Sequence, residues 1–110
     1  MTQTELPETL RTYLDAHAAR DVDRALAAFH PDAVVTDEGH THRGTDEVRA
    51  FLTTAGAEFT FTTRLLRAEH PADDVWVAHQ RIEGDFPGGV ADLAYRFQVA
   101  DGLVVRLDIA

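Results

Sequence analysis

The hydrophobic period of this chain changes once, near Glu58, and that change limits the folds it can adopt. Before it, apolar residues recur at helical spacing. Leu6, Leu10, Tyr13, Leu14 and His17 share one face of a first helix expected over about 6–18. Pro7 suits the first turn, which needs no amide donor. Asp21 can cap a second helix whose apolar side is Val22, Ala25, Leu26 and Phe29, and Pro31 ends it. Ala33 to Asp37 is rich in β-branched residues and reads as a short strand. Glu38 to Gly44 reads as a polar loop. Thr45 then caps a third helix that carries Asp46 and Glu47 in its first turn and buries Val48, Phe51 and Leu52.

From Glu58 onward the period is two. Phe59 to Leu65 largely alternates, Pro71 to Asp74 and Phe86 to Gly89 read as turns, and Ala100-Asp101-Gly102 reads as a third. Between and after them lie strands over Val75 to Glu83, Val90 to Val99 and Leu103 to Ile109. Helices first and a meander afterwards is an α+β pattern, expected as three N-terminal helices held by a curved antiparallel sheet.

With 110 residues the chain forms one domain, long enough to bury a core without staples. It has no cysteine, which excludes disulfides, thiolate nucleophiles and Cys-ligated metal, and agrees with a reducing compartment. Met1 to Glu5 lacks the basic and apolar stretches of a secretory leader, so a cytoplasmic location is expected. The net charge of −9 speaks against nucleic acid or anionic membrane as a partner. No GxSxG, Gly-rich phosphate loop or HExxH occurs, which argues against nucleophilic hydrolysis and nucleotide chemistry.

The stretch that runs from Tyr13 through Arg20-Asp21-Val22-Asp23, then Phe29 to Asp37, to Arg43-Gly44 resembles the opening of the nuclear transport factor 2-like superfamily. Within it, the chain is most similar to SnoaL-like polyketide cyclases and steroid Δ-isomerases. The resemblance implies a cone-shaped sheet around the helices, a pocket for a small apolar molecule, no cofactor, and a homodimer formed through the convex side of the sheet. It also implies roles. Asp37, at the end of the first strand, falls where those isomerases hold a general base. Tyr13, on the first helix, falls where they hold an oxyanion-stabilising tyrosine. Their protonated aspartate on the penultimate strand has no counterpart, because Tyr95 or Ala94 stands there; Tyr95 is the available second donor.

Proton transfer beside a carbonyl needs a base at the carbon acid and donors at the oxygen that becomes negative. Asp37, Tyr13 and Tyr95 supply both kinds of group. His17, Phe29, His40, Phe61, Trp76, His79 and Phe97 are the residues expected to contact a ligand. Of Trp76 and His79, strand alternation puts one inside and the other outside. His40 and His42 with Asp37 could suggest a metal site, but their place in a polar loop favours mobile histidines, and no metal is expected. Two other functions remain open: a ligand-binding or assembly module without catalysis, and an epoxide-opening or dehydratase-like site pairing Asp37 with Arg64, Arg67, Arg81 or His79.

Overall fold

A chain that is helical first and alternating later can bury both apolar faces only by laying helices against one side of a sheet. The computed structural model, which describes residues 5–54 and 59–110, has this arrangement. The reading of Met1 to Thr4 and the start of alternation at Glu58 lie outside the described residues. The order is α1 (Glu8–Ala18), α2 (Val22–Leu26), β1 (Phe29–Asp37), β2 (His40–Arg43), α3 (Gly44–Thr54), β3 (Phe61–Ala72), β4 (Val75–Gly84), β5 (Val90–Ala100) and β6 (Leu103–Ile109). No helix among the described residues is long and apolar enough to cross a membrane.

The six strands form one sheet in the order β2-β1-β6-β5-β4-β3. The second half is the expected meander. The sheet is not purely antiparallel, however, because β1 lies parallel to β6. The chain leaves β1 through the β2 hairpin and α3, starts the meander at the far edge, and returns to β1 with its last strand.

Several local boundaries differ from the sequence reading. The second helix stops at Leu26, and Phe29 opens β1 instead of closing the helix. Pro31 sits inside β1 where the ladder to β6 shifts register between Phe29 and Val34, a place that can spare an amide donor. The expected loop after Asp37 is a two-residue turn followed by β2, which pairs with β1 from Val34–Arg43 to Asp37–His40. The third helix is capped by Glu47, whose carboxylate accepts the Arg43 N–H at 3.0 Å, and not by Thr45. Asp21 does cap α2, accepting from the Arg24 N–H at 3.2 Å.

Cross-strand partners share a face, so the register sorts the side chains. Ala78, Tyr95 and Ile109 stand in one row on the inner face, and Trp76, Phe97 and Leu107 in another. The helices cover this face with Leu10, Tyr13 and Ala16 of α1 and Val48, Phe51 and Leu52 of α3. Tyr13 is at the centre, edge-on to Phe29 at 5.3 Å and to Phe97 at 5.7 Å. The outer face is polar. Arg81 makes a two-pronged pair with Asp92 at 2.9 and 3.1 Å, Arg106 does the same with Asp108, and His79 pairs with Glu69.

Candidate functional site

The curved sheet and the helices do not meet everywhere. Between them lies a cavity of about 550 Å³ whose wall draws on nearly every element. His17 comes from α1, Phe51 and Thr54 from α3, Asp37 and Glu38 from the end of β1 and its turn. The sheet supplies Phe61, Ile82, Leu93, Tyr95 and Ile109, and Phe59, Phe86 and Pro87 complete the wall.

Asp37 gets there by register. It pairs with Ile109 across the parallel ladder, and Ile109 pairs with Tyr95 across the next. The three residues form one row on the inner face, with Asp37 and Tyr95 two strands apart, roughly 10 Å between backbones. Burial pushes the Asp37 carboxyl above the usual carboxylate range, and Glu38 adds to this, while His42 and His40 pull the other way. Among the described residues Asp37 makes no ion pair, so no arginine fixes it as a structural anion. Burial, and then the field of Asp37, pushes the Tyr95 phenol up to about 12.

Tyr13 lies one layer deeper. It is fully buried, does not line the cavity, and its hydroxyl has no hydrogen-bond partner among the described residues. Burial, Tyr95 and Asp37, in that order, raise its proton affinity, which places the phenol within the field of both groups. His17 stacks on the Tyr13 ring at 5.8 Å and reaches the cavity wall. Burial and the nearby Arg20 hold it toward its neutral form.

The other expected contacts divide. Phe61 lines the cavity, under the Arg20 guanidinium at 4.9 Å from the ring centre. Phe29 and Phe97 do not: both are packed into the core around Tyr13. Trp76 is on the inner face but beyond the cavity, stacked on His70 at 4.1 Å. His79 is on the outer face, held by Glu69. His40 is the cross-strand partner of Asp37 and stays exposed at the sheet edge. His42, two residues on, turns onto the Phe51 ring at 5.0 Å. These two histidines therefore lie on a strand and not in a loop.

The partners considered for an epoxide-opening or dehydratase-like site are also displaced. Arg64 faces Arg81 and Arg67 faces His79 across the β3–β4 ladder, all on the outer face, so the sheet separates them from Asp37. Sequence reasoning missed Glu38 and Thr54. Glu38 was hidden by the loop reading, because Glu38-Gly39 lacks the asparagine or aspartate that marks a tight hairpin turn.

With this geometry in view, comparison with known proteins decides the family. Residues 10–107 match the SnoaL-like domain. The chain belongs to the SnoaL-like family. A candidate polyketide cyclase from Sinorhizobium meliloti is 31% identical, with a TM-score of 0.88 over 96% of this chain and 95% of that one. A Catenulispora acidiphila protein of ketosteroid isomerase-like fold, solved with trimethylamine, has a TM-score of 0.83 at 14% identity, over 96% and 86% of the two chains. A Mycobacterium tuberculosis protein solved with estradiol-17β-hemisuccinate has a TM-score of 0.75 at 18% identity, over 92% and 88%. The fold is thus that of the nuclear transport factor 2-like and ketosteroid isomerase-like proteins. No curated protein matches the chain.

Proposed function

We propose that this SnoaL-like protein is a cofactor-independent isomerase or cyclase that moves a proton on a small, mostly apolar carbonyl compound. The observation that carries the reading is Asp37: a carboxylate with no ion pair among the described residues, on the wall of a cavity lined mostly by apolar and aromatic side chains, with its proton affinity raised by burial. A carboxylate in that setting is a better base than one in water. Tyr95 faces the same space and supplies a phenol to the oxygen that becomes negative. Tyr13, the oxyanion donor that the resemblance implies, lies one layer behind the wall and would donate only if a ligand reached its hydroxyl. The two relatives named for polyketide cyclase and for a bound steroid derivative support this substrate class.

The test is the absorbance change when wild-type protein and Asp37→Asn meet a β,γ-unsaturated 3-ketosteroid. Conjugation of the product is directly visible. Loss of a general base lowers the rate by roughly 10²–10⁴-fold; full activity in the variant would sink the reading.

One observation favours a second reading, a ligand-binding module without catalysis: Tyr13 is sealed from the cavity, which leaves Tyr95 as the phenol on its wall. The proposal includes a homodimer through the outer face, where Val90 is 56% exposed beside the charged pairs. A monomer in sedimentation at micromolar concentration would count against it.

A further inference from the structure

Proton transfer on a neutral ketone does not use all of the cavity's electrostatics. Among the described residues its acidic side chains are Asp37 and Glu38, adjacent in the chain, and neither lysine nor arginine is in its lining. The remaining basic group on the wall, His17, is held toward its neutral form. The Arg20 guanidinium lies against Phe61 and the Phe59 carbonyl, outside the lining. Aromatic residues share the wall with the two carboxyl groups: Phe51, Phe59, Phe61, Phe86 and Tyr95. Phe59 and Phe86 meet edge to face at 5.9 Å. Aromatic faces attract cations, most strongly where water is excluded, and Arg20 over Phe61 shows that attraction at this wall. A cavity with acidic groups, aromatic walls and no lining guanidinium or ammonium repels carboxylates and phosphates.

We propose that the cavity selects ligands that carry a basic or quaternary ammonium group beside the apolar carbonyl body, with Glu38 as the anchoring anion and the phenylalanines around the charge. This rests on the proton-transfer reading for the location of the site and names its substrate class: an amine-bearing carbonyl compound. The two carboxylates then divide the work. Glu38 holds the ammonium, and Asp37 stays available for the proton.

Glu38 also allows a clean variant. It has φ 51 and Gly39 has φ 80, the two left-handed positions of a tight hairpin turn. Asparagine tolerates that conformation better than glutamate. Glu38→Asn therefore removes the charge without loosening the turn.

The experiment is calorimetric titration of the full chain with three ketones of similar size. They are 5-(trimethylammonio)pentan-2-one, its uncharged carbon isostere 6,6-dimethylheptan-2-one, and the anion 6-oxoheptanoate. The ammonium ketone is expected to bind at least about tenfold tighter than the isostere, within the range of a partly desolvated cation–aromatic contact, and the anion more weakly than either. In Glu38→Asn the ammonium advantage falls away while the isostere binds as before. The inference is overturned if the isostere or the anion binds as tightly as the cation. It is equally overturned if the cation shows no binding at millimolar concentration, or if its advantage survives in a folded Glu38→Asn. α-Proton exchange into the same ketones separates this inference from the one beneath it. Exchange without ammonium preference overturns only the selectivity, and tight ammonium binding without exchange overturns only the proton transfer.

Discussion

Asp37 and Tyr95 stand in one row across the sheet with Ile109 between them, and all three open onto the same cavity. A base and a phenol are thus held two strands apart by backbone pairing, which is stiffer than any loop. The gap between them is bridged by one aliphatic side chain. A carbonyl compound lying over Ile109 would touch both groups.

The Asp37 carboxyl costs the fold stability at neutral pH. Its folded proton affinity is above the ordinary value of 3.8, so as pH rises past that value the unfolded chain releases the proton first. The fold then loses stability until the folded group has ionised as well. Asp37→Asn removes this penalty. Its Tm is expected to exceed that of the wild type at pH 7 and to match it near pH 3, where both forms are neutral. Thermal melts at the two pH values check this; equal melting temperatures at both would show that Asp37 is not strained by burial. His17 has the opposite sign. Its proton affinity is lowered in the fold, so its contribution is complete above the ordinary value of 6.5 and is lost as pH falls through the folded value.

Tyr13→Phe removes a buried hydroxyl that has no partner among the described residues. An unsatisfied buried polar group costs about 1–3 kcal/mol. The variant is expected to be more stable by ~1 kcal/mol, or about 4 °C in Tm. Tyr95→Phe removes a phenol from the cavity wall and is expected to lower turnover more than Tyr13→Phe does. Denaturant unfolding and turnover, measured on the same two variants, check both statements.

Gly84 packs against the backbone beside the cavity-lining Phe61. It pairs with Phe61, and a Cβ added to it would lie 2.4 Å from the Thr60 carbonyl oxygen and 2.7 Å from the Phe61 Cβ. Backbone cannot yield there as a flexible side chain would. Asp85 ties the same segment, donating its N–H to the Thr60 carbonyl at 3.1 Å and accepting the Thr60 N–H at 2.8 Å. Gly84→Ala is expected to destabilise by about 1–3 kcal/mol, the usual cost of overpacking, and to weaken ligand binding through Phe59 and Phe61. A variant with wild-type stability would contradict the close approach.

Much of this was legible in the sequence, for physical reasons. The switch in hydrophobic period gave the helices, the meander and the helix-covered face, because each element must bury its apolar side. The parallel β1–β6 pairing was not legible, since it depends on which strand closes the sheet and leaves no local pattern. Phe29 was misplaced because an apolar residue one turn after Ala25 and Leu26 fits a helix as well as a strand. Asp37, Tyr95, His17 and Phe61 reached the cavity wall. Phe97 and Phe29 did not, because core and pocket wall use the same residue types, and only depth separates them. His79 was lost to a single step of strand alternation, which put it beside Glu69 on the outer face. Glu38 was missed because glutamate is a poor residue for a left-handed turn position, so the hairpin did not announce itself.

The most direct test of the central claim is incorporation of deuterium at the α-carbon of a 3-ketosteroid in heavy water, followed by NMR with wild-type protein and Asp37→Asn. Wild type is expected to catalyse exchange above buffer, and the variant to lose it by roughly 10²-fold or more. Exchange that is undiminished in the variant would contradict Asp37 as the base.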